Sequence, residues 1–110
     1  IYEAEDAEII IVAYGISSRI AKNALKLARQ QGIKAGMIRP KTLWPFPYEI
    51  INKHAGQGVK FLTVELSMGQ MVEDVKLAVN GKSPVEFIGR AGGGVITVQA
   101  VLNKITELKK

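Results

Sequence analysis

Cysteine is absent from all 110 residues. That excludes a disulfide framework, a thiolate metal site and a thiol nucleophile, and it fits a cytoplasmic setting. Histidine is nearly absent too. The single one, His54, lies between Lys53 and Ala55. A zinc centre needs more imidazole or thiolate ligands than this, so no metal site is expected, and His54 reads as a surface or capping residue. Long apolar runs are also missing. The longest, Ile9 to Tyr14, has the length of a strand and falls far short of a bilayer span. The first residues are acidic rather than basic, so they do not read as a signal peptide. No basic run interleaved with aromatics is present, so the net charge of +5 reads as solvated surface and not as a nucleic-acid face.

Acidic residues are scarce after the start. Glu3, Glu5, Asp6 and Glu8 fall in the first eight positions, which leaves 15 basic residues against 6 acidic ones in the rest of the chain. The lysines are scattered over predicted helix faces and helix ends. A 110-residue chain that is 47% hydrophobic suits one domain with a buried sheet. Ile1 stands where a methionine would open a complete chain. Residues 1–110 are therefore expected to be a single domain cut from a longer polypeptide.

Residues Ile1 to Ala4 suit a short edge strand. The run E-I-I-I-V-A-Y from Glu8 to Tyr14 is continuous and rich in β-branched residues, as in a strand buried on both faces. Gly15 ends it. Ser17 or Ser18 then suits an N-cap for a helix to about Gln31. Its apolar face would be Ile20, Ala21, Ala24, Leu25, Leu27 and Ala28, with Gly32 just past its end. Ile33 to Ile38 is the next strand and completes a βαβ unit. Tyr48 to Ala55 suits a short helix with Pro47 at its start. Val59 to Glu65 is another buried strand. Ser67 and Gln70 match a capping box for a helix in which Met68, Met71, Val72, Val75 and Val79 recur at helical spacing. Val85 to Ile88 is a last strand. Thr97 suits the cap of a final helix whose Val98, Val101, Leu102, Ile105 and Leu108 face inward, with Lys104, Lys109 and Lys110 near its C-terminus. This alternation implies an α/β sandwich with a mostly parallel sheet.

Proline is concentrated as sharply as acid. Three of the four lie in Arg39-Pro40-Lys41-Thr42-Leu43-Trp44-Pro45-Phe46-Pro47, beside the only tryptophan. Fixed φ and restricted pre-proline residues make this a stiff, extended connection. Its Leu43, Trp44 and Phe46 must pack against something, either the domain's own core or a partner.

The constellation of a catalytic centre is missing. No serine has the G-x-S-x-G context of a nucleophile elbow. Two glycine turns are candidate anion sites: Gly15 with Ser17 and Ser18, and Gly89 to Gly94, whose N–H groups precede a helix. Neither matches a dinucleotide fingerprint or a P-loop, and either serves equally as a permissive turn. Glu65 ends a buried strand, where open α/β sheets bind ligands. It is either solvated, bonded to nearby N–H groups, or part of an interface.

Four phrases occur in a fixed order: V-A-Y-G-I-S-S-R at 12–19, I-R-P-K-T-L-W-P-F-P at 38–47, V-E-L-S-M-G-Q at 64–70 and the glycine turn at 89–94. Together they cover nearly the whole chain. They resemble the C-terminal, transketolase-like domain of the α subunit of 2-oxoacid:ferredoxin oxidoreductases, with the L-W-P-F-P phrase the most specific. The T-L-W form is closer to the 2-oxoglutarate and branched-chain 2-oxoacid members than to the pyruvate members. The resemblance implies a three-layer α/β/α sandwich with a five-stranded mixed, mostly parallel sheet in order 1-3-2-4-5, strand 1 antiparallel. It implies a parent enzyme that oxidatively decarboxylates a 2-oxoacid to an acyl-CoA and reduces ferredoxin. Thiamine diphosphate, Mg2+, an iron–sulfur cluster and the co-substrate CoA would belong to that parent, not to this domain. The domain itself would be non-catalytic. It would contact other domains of the α subunit and the β subunit through Leu43, Trp44, Pro45, Phe46 and Gln70, with no nucleic-acid or membrane partner. The other reading is an anion-binding domain of a related transketolase-like or E1β-type enzyme. CoA or a nucleotide would then bind at Gly15, Ser17 and Ser18, or at Gly92, Gly93 and Gly94.

Overall fold

The computed structural model describes residues 6–13, 15–40, 48–56, 58–65, 70–89 and 96–109. Strands and helices alternate through them: β1 (Ile9–Ala13), α1 (Ile16–Gln30), β2 (Ala35–Ile38), α2 (Tyr48–His54), β3 (Lys60–Glu65), α3 (Gln70–Val79), β4 (Val85–Gly89) and α4 (Val98–Lys109). The sheet runs β2-β1-β3-β4, and every pair is parallel. Each step between strands is a helical crossover, as parallel pairing demands.

This corrects the expected sheet. Four described strands stand where five were expected, none is antiparallel, and the order 1-3-2-4-5 does not hold as written. The difference lies at the start of the chain. The expected antiparallel strand falls on residues 1–4, outside the described residues, and every later strand drops one number.

Burial follows from the sheet's two covered faces. Ile9, Ile11, Ala13, Leu62 and Val64 point to one side, where α1 contributes Ala21, Ala24, Leu25 and Ala28 and α4 contributes Val101, Leu102 and Ile105. Ile10, Val12, Ile38 and Phe61 point to the other, against Ile51 of α2 and Val75, Ala78 and Val79 of α3. All five residues of β1 are buried, which is why its sequence is continuously apolar and not alternating. One expected core position fails. Leu27 is exposed on the outer flank of α1.

Helix starts also differ from expectation. The N-cap of α1 is Gly15, with φ 66° and ψ −137°, and no side chain caps the helix. The left-handed φ turns the chain from strand to helix at once, so Ser17 and Ser18 lie inside the first turn rather than ahead of it. At α4 the expectation holds: the Ala100 N–H donates to Thr97 Oγ1 at 3.1 Å. The expected Ser67 cap lies outside the described residues.

Charge pairs tie the sheet's N-terminal rim. Arg29 holds Asp6 in a two-point pair, with Nη2–Oδ1 at 2.7 Å and Nη1–Oδ2 at 3.2 Å, while its Nε donates to the Ala35 carbonyl at 2.8 Å. Lys109 pairs with Glu8 at 2.7 Å, and Lys60 Nζ donates to the Leu108 carbonyl at 2.6 Å. The lysines of α4 therefore do more than favour a helix C-terminus: Lys104 also bridges Glu86 and Glu107 at 3.2 and 3.3 Å.

The Arg29 hydrogen bond and charge hold the Asp6 carboxyl below its usual pKa, and Lys109 does the same for Glu8. A lowered folded-state pKa lends stability above the unfolded value and loses it as pH falls through the folded one. Thermal unfolding should therefore be insensitive to these groups at neutral pH. The melting temperature should fall below about pH 4 as the pairs are protonated. The paired variant Asp6→Asn/Glu8→Gln should flatten that acid limb, and an unchanged slope in the variant would contradict the assignment. Both carboxylates are exposed, so 1 M salt should shrink the effect.

Candidate functional site

The order β2-β1-β3-β4 reverses direction between β1 and β3. The chain leaves β1 toward one face through α1 and leaves β3 toward the other through α3, since α1 and α3 belong to opposite core clusters. In open parallel sheets the carboxyl ends of the strands at this reversal form a natural crevice. Ala13 pairs with Val64 there, which brings the Gly15 turn beside Glu65.

The described side chains of this crevice are committed to the fold. Ser17, 1% exposed, donates its hydroxyl to the Val64 carbonyl at 3.1 Å, across 47 residues of sequence. Ser18 donates to the Gly15 carbonyl at 2.6 Å. Glu65, 5% exposed, accepts the Val72 N–H at 3.2 Å. Val72 is the third residue of α3. The carboxylate thus does for α3 what an N-cap side chain does, from the end of a strand instead of the residue before the helix.

The expected site residues fall into two groups. Gly15, Ser17 and Ser18 are brought together with Glu65 at the crevice. Gln70 is the first residue of α3, on the same rim. Leu43, Trp44, Pro45 and Phe46 lie outside the described residues, as do Gly92, Gly93 and Gly94. The first four precede α2, whose Tyr48 is half-exposed and donates its hydroxyl to Asp74 Oδ1 at 2.8 Å. That bond, with the nearby Asp74 charge, raises the Tyr48 pKa above its usual value.

Among the described residues, the arrangement suits neither an anion cradle built from hydroxyls nor acid–base catalysis. Both serine donors are spent on carbonyls, and Glu65 is spent on an amide. His54 ends α2 at the opposite rim of the sheet, away from Glu65. No three His, Cys, Asp or Glu side chains converge among the described residues to hold a metal ion. No helix of those residues is long and apolar enough to cross a membrane.

Sequence reasoning missed one group, Thr63. It sits on β3 with its hydroxyl buried and without a hydrogen-bond partner among the described residues. Threonine's fitness for strands hides such a group from any pattern. Thr63→Val, which keeps the shape and removes the orphan, should stabilise the chain by about 1 kcal/mol in chemical denaturation. A loss of similar size would show that the hydroxyl does find a partner.

Residues 7–101 match the family described as pyruvate:ferredoxin oxidoreductase core domain II. The chain is 52% identical over 97% of its length to a ketoisovalerate oxidoreductase subunit, VorB, of Methanothermobacter marburgensis, and covers 30% of that protein. Among solved structures it superposes on a 2-oxoglutarate:ferredoxin oxidoreductase from Magnetococcus marinus with TM-score 0.73 and 19% identity, covering 94% of this chain and 18% of that one. A split-gene transketolase gives TM-score 0.79 and 22% identity over 91% of this chain and 37% of that one. At these identities the two structures speak for the fold alone: an α/β fold with a parallel sheet, like transketolase C-terminal domains. The chain spans about a third of the length of the curated relatives it matches.

Proposed function

The chain belongs to the pyruvate:ferredoxin oxidoreductase core domain II family, and from that premise we propose that it is a non-catalytic assembly domain of a 2-oxoacid:ferredoxin oxidoreductase α subunit. The observation that carries this reading is the identity with a ketoisovalerate oxidoreductase subunit along nearly the whole chain. The parent would decarboxylate a 2-oxoacid on thiamine diphosphate, pass electrons through an iron–sulfur cluster to ferredoxin, and release an acyl-CoA.

On this reading those groups are held elsewhere in the parent. With no cysteine in the sequence, a thiolate-held cluster must be ligated elsewhere. Among the described residues no three carboxylates or histidines converge, so no all-protein metal cage forms there. The domain's role is then to fold and to dock. The docking surface we assign is Leu43, Trp44, Pro45 and Phe46, together with Gln70 at the start of α3, against other domains of the α subunit and the β subunit. Pro45 and Pro47 stand beside Trp44 and Phe46 in the sequence and restrict the backbone, so aromatic anchors there lose little entropy on association.

The alternative places CoA or another anion at Gly15, Ser17 and Ser18, where both hydroxyls already donate inward, or at Gly92, Gly93 and Gly94, which lie outside the described residues. Two measurements separate the readings. The complete enzyme, supplied with a branched-chain 2-oxoacid or 2-oxoglutarate and CoA, should reduce ferredoxin, while the 110-residue chain alone reduces none. Titration of the chain with CoA to millimolar concentration should give no heat. Binding of CoA by the chain, or a complete enzyme that oxidises neither class of acid, would overturn the proposal.

A further inference from the structure

β4 is the least covered strand of the sheet. Each of its five residues is half-buried or exposed, whereas every residue of β1 and β2 is buried. Helix α4 packs on α1, β1 and β3. Beside β4 it leaves an open groove of about 570 Å3, lined by Phe87, Ile88 and Gly89 on one side and Ala100, Lys104 and Glu107 on the other.

The hydrogen-bond pattern identifies the free backbone groups. The Phe61 N–H donates to the Pro84 carbonyl at 2.9 Å, and Phe61 lies opposite Val85 in parallel register. A parallel ladder alternates, so Pro84, Glu86 and Ile88 turn their backbone groups toward β3. Val85, Phe87 and Gly89 turn theirs outward, where no strand pairs with β4 among the described residues. Such a row is a template for another strand.

The row is centred on Phe87 and is self-complementary. A two-fold axis at Phe87 sets that residue against its own copy, and sets Val85 against Gly89 of the second copy. In this antiparallel register each of those pairs exchanges both backbone hydrogen bonds. The side chains fit the same register. The Phe87 ring leans along the strand over Gly89, so closely that a Cβ there would collide with it. The space over Gly89 is therefore filled by the chain's own Phe87 ring, and Val85 of the second copy, set opposite Gly89, meets the edge of that ring. Phe87 is 39% exposed in the single chain, and Glu86 is already paired with Lys104 of its own chain. The axis thus gathers apolar surface without leaving like charges unpaired across it.

We infer that β4 is a homotypic interface: two copies of this chain join edge to edge, antiparallel about Phe87, into one continuous sheet. The inference stands apart from the oxidoreductase reading and needs only the edge itself.

The absence of cysteine makes the test direct. A hydrogen-bonded antiparallel pair places its Cα atoms about 5.5 Å apart, within disulfide reach. Phe87→Cys should cross-link to a covalent dimer under mild oxidant about tenfold faster than Leu77→Cys, a control on α3 that is 69% exposed. Sedimentation equilibrium of the unmodified chain should show a monomer–dimer equilibrium. Phe87→Lys should weaken it at least tenfold with an unchanged circular dichroism spectrum, since an edge lysine blocks strand addition. A chain that stays monomeric at millimolar concentration would overturn the inference. So would Phe87→Cys cross-linking no faster than the control, or a dimer that persists undiminished in Phe87→Lys. Should Phe87→Lys fail to fold, the cross-linking comparison decides alone.

Discussion

Phe61→Ala is expected to cost about 3–5 kcal/mol of stability, the range for emptying a buried aromatic site. Phe61 is fully buried on β3, a strand paired on both sides, and is among the largest buried side chains of the domain. It packs with Ile10, Val12, Ile38, Ile51, Val75 and Val79, so its loss opens a cavity between the sheet and two helices at once. Those neighbours sit on four separate elements and cannot all move in to fill the space. A domain of this size has about 5–15 kcal/mol to lose, so the variant should be partly unfolded at 37 °C. Phe61→Leu keeps most of the volume and should cost clearly less. Urea denaturation of the two variants checks this. A loss under 1 kcal/mol for the alanine would contradict the placement of Phe61.

Gly15 is the second sensitive position, for a different reason. Its φ of 66° with ψ of −137° lies in a region that only glycine occupies without strain. A Cβ built there meets nothing within 4 Å, so collision is not the penalty. Gly15→Ala should cost about 1–3 kcal/mol, through backbone strain alone. Gly15→Ser should cost nearly the same, because space is open for the larger group. A steep rise with side-chain size would point instead to a crowded turn. The strain also moves the Gly15 carbonyl that accepts from both the Ser18 hydroxyl and the Ser18 N–H, loosening the start of α1.

Much of the fold is readable from local pattern. The apolar run of Ile9 to Ala13 can only be a strand buried on two faces, and Gly32 marks the end of α1 by its left-handed φ of 84°. Thr97 caps α4 because capping is decided within one turn. What escaped the sequence depends on distant partners. Ser17 and Ser18 have the chemistry of caps, but Gly15 takes the cap position and Ser17 reaches 47 residues away to Val64. Leu27 keeps helical spacing with the core yet falls just beyond the edge of what the sheet covers. Glu65 was open between three roles, and only the packing of α3 over β3 brings the Val72 N–H to it. The uncovered flank of β4 likewise depends on where α4 comes to rest, which no stretch of β4 encodes.

The most direct test of the assembly role is association of the complete α subunit with its β subunit, with and without Trp44→Ala. The account predicts that the unmodified subunit retains a β partner carrying thiamine diphosphate and an iron–sulfur cluster. Trp44→Ala should lower that affinity at least tenfold while the melting temperature of the α subunit stays within about 2 °C, as for a surface change of under 1 kcal/mol. Equal retention of the partner by both forms would contradict the account. So would loss of the partner accompanied by unfolding, which would make Trp44 part of the domain's own core.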